Sequence, residues 1–179
     1  MPTSEARSAK GLAELPYRPC VGIMVLNRDG LVWAGHRVSR SPHDPEGQDR
    51  WWQMPQGGID AREDPAAAAV RELEEETGIR SVEIVAESPG WYSYDLPVEL
   101  RPKAWGGRYR GQRQKWFAVR FTGAEDEIAL VRPGHPQEFD RWRWAGIDEL
   151  VGLIVPFKRA VYEQVVGDFA ALARPRSQP

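Results

Sequence analysis

Apolar and polar positions along this chain follow two periods. Strict alternation over short runs marks strands. "CVGIMVLN" (20–27) reads as one strand, "RDG" as a turn and "LVWAGHR" (31–37) as the returning arm of a hairpin. "WWQMP" (51–55) reads as a short strand, and "VEIVAE" (82–87) and "WYSYDL" (91–96) as two more. "RQKWFAVRF" (113–121) alternates strongly, and "RWRWAG" (141–146) repeats the pattern more briefly. The helical period governs two segments. Asp64 suits an N-cap, Pro65 suits the first helical position, "AAAAVRELEEE" has high helix propensity and Gly78 ends the run. "PFKRAVYEQVVGDFAALA" (156–173) predicts a closing helix. The polar, turn-rich stretch 38–50 and the glycine-rich basic stretch 101–112 predict loops. Short strands with one central and one terminal helix predict the α/β class, a sheet between helices.

Length bounds this to one domain. With 179 residues the chain buries a core without help, so residues 17–172 form a single folded unit between loose ends at 1–16 and 173–179. A net charge of −2 does not by itself mark a nucleic-acid binder, and a local basic groove is compatible with it. The one cysteine, Cys20, cannot staple the fold, which suits a reducing compartment. Three scattered histidines do not make a zinc site. No apolar run of about 18 residues exists, and the N-terminus lacks a secretory signal, so the expected location is the cytoplasm.

The charge pattern of the first helix is harder to explain. "RELEEETGI" (71–79) sets Glu72, Glu74, Glu75 and Glu76 on two turns. Glu72, Glu75 and Glu76 fall within about 100° of one another, while Glu74 points away. Leu73, Val70 and Ala66 form an apolar stripe beside them. Like charges at this spacing cost about 0.2–0.5 kcal/mol each, and the helix C-terminus disfavours anions further. A solvated helix face is the plain explanation. The other is that a hard divalent cation, Mg²⁺ or Mn²⁺, neutralises the cluster.

The wider spacing weighs towards the cation. Gly57 is followed by five residues, Glu63, seven residues, and then Arg71-Glu72-Leu73-x-Glu75-Glu76-x-Gly78-Ile79. These positions match the Nudix box, and the chain resembles a Nudix hydrolase. The resemblance implies an α/β/α sandwich with a mixed sheet, a loop–helix–loop box and Mg²⁺-dependent hydrolysis of a substituted nucleoside diphosphate. The flanking segments "YRPCVGIMVLNRDG", "WWQMPQGGID", "GQRQKWFAVRF", "EFDRWRW" and "PFKRAVYEQVV" resemble the bacterial RNA pyrophosphohydrolases, also described as dinucleoside polyphosphate hydrolases. The long loop at 38–50 departs from that pattern.

The resemblance implies roles residue by residue. Glu72, Glu75 and Glu76 would ligate two or three Mg²⁺ ions, with Mn²⁺ as a substitute. The Gly57 carbonyl would add a ligand, and Glu138 would join the metals or activate water. Arg71 and Glu63 read as structural partners. The general base stays open among Glu72, Glu75, Glu76 and Glu138. Arg18, Arg37, Arg113 and Lys115 are cationic candidates for phosphate, and Gln56 lies beside the box loop. Phe157 and Lys158 match family positions that meet the first base, where an aromatic ring can stack. Trp51, Trp52, Trp116, Trp142 and Trp144 read as packing residues. The expected reaction removes pyrophosphate from the 5′ end of triphosphorylated RNA and so starts mRNA decay. Diadenosine tetraphosphate and related dinucleotides are the alternative substrates, and the box does not separate the two. A Nudix-fold binding module without catalysis, or a nucleotide-pool cleanser, is a weaker competitor. No membrane partner is expected, and protein partners are open.

Overall fold

The computed structural model describes residues 14–38 and 51–174. Of the tails expected at 1–16 and 173–179, residues 1–13 and 175–179 lie outside the described residues, as does nearly all of the loop at 38–50. The first hairpin forms as its pattern requires, from β1 (Tyr17–Leu26) and β2 (Val32–Arg37), with Leu26 opposite Val32. The strands β3 (Trp52–Gln53), β4 (Gln56–Gly58), β5 (Val82–Asp95), β6 (Gly111–Phe121) and β7 (Phe139–Ala145) complete a mixed sheet. Its main order is β3-β2-β1-β6-β5, with β4 also paired to β1 and β7 to β2. Only β1 and β6 run parallel among the described pairs.

The alternation of β1 and β6 divides the core into two layers. Val21, Ile23, Val25, Phe117 and Val119 face the helix α1 (Pro65–Thr77) and pack on Ala68, Ala69 and Leu73. Met24, Leu26, Trp116 and Ala118 face the helix pair α2 (Leu150–Leu153) and α3 (Arg159–Phe169), meeting Leu150, Tyr162, Val165 and Phe169. The result is the α/β/α sandwich expected.

Capping of α1 follows the sequence. Asp64 Oδ2 accepts from Ala67 N at 3.1 Å, and Gly78 closes the helix at φ 78°, a left-handed angle that disfavours a side chain.

Three details differ from the pattern reading. "VEIVAE" and "WYSYDL" are one strand, β5, because irregularities at Ile84/Ala86 and Glu87/Trp91 absorb the Ser88-Pro89-Gly90 interruption without breaking the pairing to β6. The C-terminal helix opens as a 3-10 turn over Pro156–Lys158 and ends at Phe169, four residues before the periodicity does. The buried stripe of α1 is Ala68, Ala69, Leu73, Glu76 and Thr77, while Val70 is 36% exposed. A carboxylate, not Val70, therefore shares the core-facing side of that helix.

Candidate active site

β1 pairs with β2 at Leu26 and with β4 over Cys20–Gly22. Val21 lies opposite Gly57 and Cys20 opposite Gly58, which pins the start of the box loop to the sheet. Helix α1 then crosses so that the Glu72 carboxylate lies over Gly57, in space that any Cβ on residue 57 would enter. Arg71 ties loop and helix together. Its Nε and Nη2 donate to Glu63 Oε1 and Oε2 at 2.7 and 2.8 Å, Nη2 also reaches the Gly58 carbonyl at 2.9 Å, and Nη1 reaches Glu72 Oε1 at 2.8 Å. A bidentate guanidinium–carboxylate pair fixes geometry as well as charge. It holds the Glu63 carboxyl down at about 2.

A cavity of about 520 Å³ opens beside this clamp. Glu72, Glu76 and Glu138 line it together with Arg18, Arg37, Gln56, Gly57, Phe157 and Lys158. Glu76 is 8% exposed and accepts from Gln56 N at 3.2 Å. Burial pushes its carboxyl well above the usual range, and the charges of Glu138 and Glu72 push the same way. Burial also raises Glu72, against the opposing pull of Arg71. Lys158 is 5% exposed, with Nζ at 3.4 Å from Gln53 Oε1 and 3.3 Å from Gln56 Oε1. Burial, reinforced by Arg37, lowers its pKa to about 7. Arg37 Nε is buried without a hydrogen-bond partner among the described residues.

The remaining candidates lie elsewhere. Glu75 is outside the cavity wall, 3.5 Å from Arg71 Nη1 and 3.9 Å from His135 Nδ1. Arg113 is on β6 one position after Gln112, so it points to the opposite face and rests over Trp91. Lys115 shares that face, donating to the Ser88 carbonyl beside Glu87. Trp116 is fully buried against Tyr162. Sequence reasoning passed over Trp105, which lines the cavity with Arg18 stacked 5.6 Å from its ring. Its one signal was a large aromatic within a glycine-rich loop.

The acid groups fit a hard divalent cation. Three carboxylates converge, and the most buried of them, Glu76, has its charge raised in energy by the other two. Among the described residues no three His, Cys, Asp or Glu groups form a ready cage.

A family model for the NUDIX domain matches residues 16–165. The chain belongs to the Nudix family. It is 59% identical to an RNA pyrophosphohydrolase of Rhizobium meliloti (strain 1021), over 90% of this chain and 98% of that one. It is 57% identical to an RNA pyrophosphohydrolase of Mesorhizobium japonicum, over 89% of this chain and 94% of that one. Among solved structures, the E. coli dihydroneopterin triphosphate pyrophosphohydrolase shares the Nudix fold at TM-score 0.61 and 17% identity, covering 84% of this chain and 97% of its own. Among the described residues, no helix of this Nudix protein is long and apolar enough to cross a membrane.

Proposed function

We propose that this Nudix enzyme is an RNA pyrophosphohydrolase of the cytoplasm, converting a 5′-triphosphate to a 5′-monophosphate and opening the transcript to decay. The reading is carried by one cavity whose wall brings Glu72, Glu76 and Glu138 together with Arg18, Arg37 and Phe157. The names of its relatives, which align over nearly their whole length, support it.

Polyphosphate hydrolysis needs charge neutralised on the substrate, a water in line and a stabilised leaving group. Glu72, Glu76 and the Gly57 carbonyl, with Glu75 and Glu138 adjoining, would hold two or three Mg²⁺ ions, or Mn²⁺, whose positive charge would offset the phosphate oxygens and acidify water. The protein side chains do the rest. Arg37, with its unpaired buried Nε, and Arg18 draw the phosphates in. Phe157 offers its ring to the base. Lys158 and the Gln56 side chain, already in contact, bound the floor. A carboxylate of the cavity takes the proton of the attacking water, the phosphoanhydride bond breaks, and pyrophosphate leaves with the electron pair. Arg71 does not meet substrate in this scheme; it keeps Glu72 aimed.

The test is competition at matched concentration between 5′-triphosphate RNA and diadenosine tetraphosphate. A higher kcat/KM on RNA is expected. A clear preference for the dinucleotide replaces the RNA reading with the dinucleoside polyphosphate one.

A further inference from the structure

We propose that Gln114, together with Trp116, is a positioning residue: it turns the amide nitrogens of Gln56 and Gln112, rather than their oxygens, towards the phosphate oxygens of the substrate. The proposal rests on the pyrophosphohydrolase reading above, and not on whether RNA or a dinucleotide carries the polyphosphate.

Gln53, Gln56 and Gln112 are in the cavity wall, and Gln114 lies behind them, 1% exposed. Gln112, Gln114 and Trp116 alternate along β6, so their side chains share one face of the sheet. It is the face on which Trp116 and Ala118 meet the α2–α3 layer. A residue placed between them for packing alone would be apolar. Burying an amide there is unfavourable unless its polar atoms are matched. Those of Gln114 are matched completely. Oε1 accepts from Trp116 Nε1 at 3.0 Å. Nε2 donates to Gln112 Oε1 at 2.8 Å and to Gln56 Oε1 at 3.1 Å, which uses both amide hydrogens.

The indole sets the sense of the whole chain of bonds. A glutamine amide can be turned over, and three linked amides could turn together, but an indole N–H only donates. Trp116 is held in place. Its ring lies over Gly22, in space that a Cβ there would enter, and packs edge-on against Tyr162 at 5.6 Å. Gln114 therefore gives its oxygen to the indole and its nitrogen to its neighbours, and Gln56 and Gln112 answer with oxygen. Lys158 Nζ, 3.3 Å from Gln56 Oε1, favours the same orientation. Both oxygens are drawn inward, which leaves the two amide nitrogens for the cavity. Gln112 is 3% exposed, and its nitrogen has no partner among the described residues. That of Gln56 has one long contact, 3.4 Å from Gln112 Oε1. A phosphate offers acceptors only, so these nitrogens attract it and the oxygens of a turned amide would repel it. The neighbourhood agrees: Gln112 is opposite Arg18 in the β1–β6 register, and Arg18 and Arg37 share the cavity wall.

The experiment uses the full chain with Mg²⁺ and the variants Q114M, Q112M, Q56M/Q112M and Q56M/Q112M/Q114M. Methionine keeps an unbranched side chain and removes the amide. KM and kcat are measured for pyrophosphate release from 5′-triphosphate RNA and for hydrolysis of diadenosine tetraphosphate. A non-hydrolysable triphosphate analogue is titrated for affinity, and metal-free melts show that each variant is folded. Q114M should raise KM and weaken the analogue about ten-fold, as for a donor lost from a charged acceptor, with kcat within about two-fold. The combined variants separate aiming from packing. If Gln114 acts through Gln56 and Gln112, adding Q114M to Q56M/Q112M should change analogue affinity by less than about two-fold. A further loss of about ten-fold in the triple variant would show an independent effect and overturn the proposal. So would a folded Q114M with wild-type KM and analogue affinity. Q112M leaves Gln114 in place and should weaken the analogue in the same direction. If it does not, Gln114 has nothing to aim, whether or not Q114M folds, and the proposal falls. A preference of wild type for diadenosine tetraphosphate would replace the RNA reading and leave this proposal standing, with the same Q114M loss expected on the dinucleotide.

Discussion

Replacing Gly57 with alanine tests whether the geometry of Glu72 governs turnover. An added Cβ would lie 2.6 Å from Glu72 Cγ and nearer still to its carboxylate, whereas real Cβ contacts do not fall under 3.0 Å. Neither partner can yield easily. Residue 57 is fixed in the ladder opposite Val21, and Glu72 Oε1 is held at 2.8 Å by Arg71, itself locked to Glu63 and the Gly58 carbonyl. The gap at Cγ is 3.0 − 2.6 = 0.4 Å, and the carboxylate has to move further, on the order of 1 Å. A misplacement of that size in a reacting constellation costs about 100-fold. The assay is pyrophosphate release from 5′-triphosphate RNA at saturating Mg²⁺, beside a metal-free thermal melt. G57A should lose about 100-fold in kcat/KM, mostly in kcat, while remaining folded. G58A is the companion. Its Cβ would meet only the far end of the flexible Arg18 side chain, so the loss should be under about ten-fold and should appear in KM. A folded G57A within about three-fold of wild type would refute the placement of Glu72 at the chemistry.

Other expectations follow from the same wall of charge. Exhaustive chelation should abolish turnover, and restoring Mg²⁺ or Mn²⁺ should raise the melting temperature of wild type more than that of E76Q; full activity in chelator would contradict the role given to the acids. Glu76 has a raised folded-state pKa, so the stability it contributes without metal is fully present below its ordinary 4.5 and is lost as pH rises through the folded value. Metal-free melts from about pH 5 to 6.5 should therefore decline for wild type and flatten for E76Q, a window below the titration of Lys158 near 7; parallel slopes would count against it. Phe157→Ala should reduce kcat/KM roughly ten- to hundred-fold if the ring stacks on a base, and an unchanged value would remove it from the site. Arg37→Ala should raise KM, whereas Lys115→Ala, whose amine is spent on Ser88 and Glu87, should leave the kinetics near wild type.

What the sequence made legible was local. The ends of α1 were readable because each depends on one residue and its nearest backbone: Asp64 on Ala67 N, Pro65 at the first turn, Gly78 at a positive φ. The two core layers were readable because β1 and β6 alternate without interruption. What stayed hidden depends on contacts far apart in the chain. Nothing in "CVGIMVLN" announces that it runs parallel to a strand about ninety residues later, since parallel pairing needs a crossover and leaves no turn signal. The single strand β5 was hidden for a related reason: Ser88-Pro89-Gly90 looks like a turn until β6 is present to carry the pairing across it.

The candidate site divides along the same line, and the division bears on how it works. Spacing identifies the glutamates, yet it assigns them all to an acidic surface. Only the fold shows that Glu76 shares the buried side of α1 with Leu73, opposite carboxylates from the same helix and from the loop before β7. Burial there has two consequences. It raises the energy of the Glu76 charge in the metal-free protein, and it makes any cation or cationic partner admitted to the cavity interact more strongly than it would in water. The same low-polarity setting bears on Lys158, whose amine is pushed towards neutrality a short distance away. A bound polyphosphate with its cations would resolve both at once, giving Glu76 a counter-charge and Lys158 an anion. Substrate and metal binding should therefore be mutually reinforcing, with each raising the affinity for the other by the same factor. Titration of a non-hydrolysable triphosphate analogue with and without Mg²⁺ measures that factor. If Mg²⁺ leaves analogue affinity unchanged, the two buried charges are settled independently of the ligand.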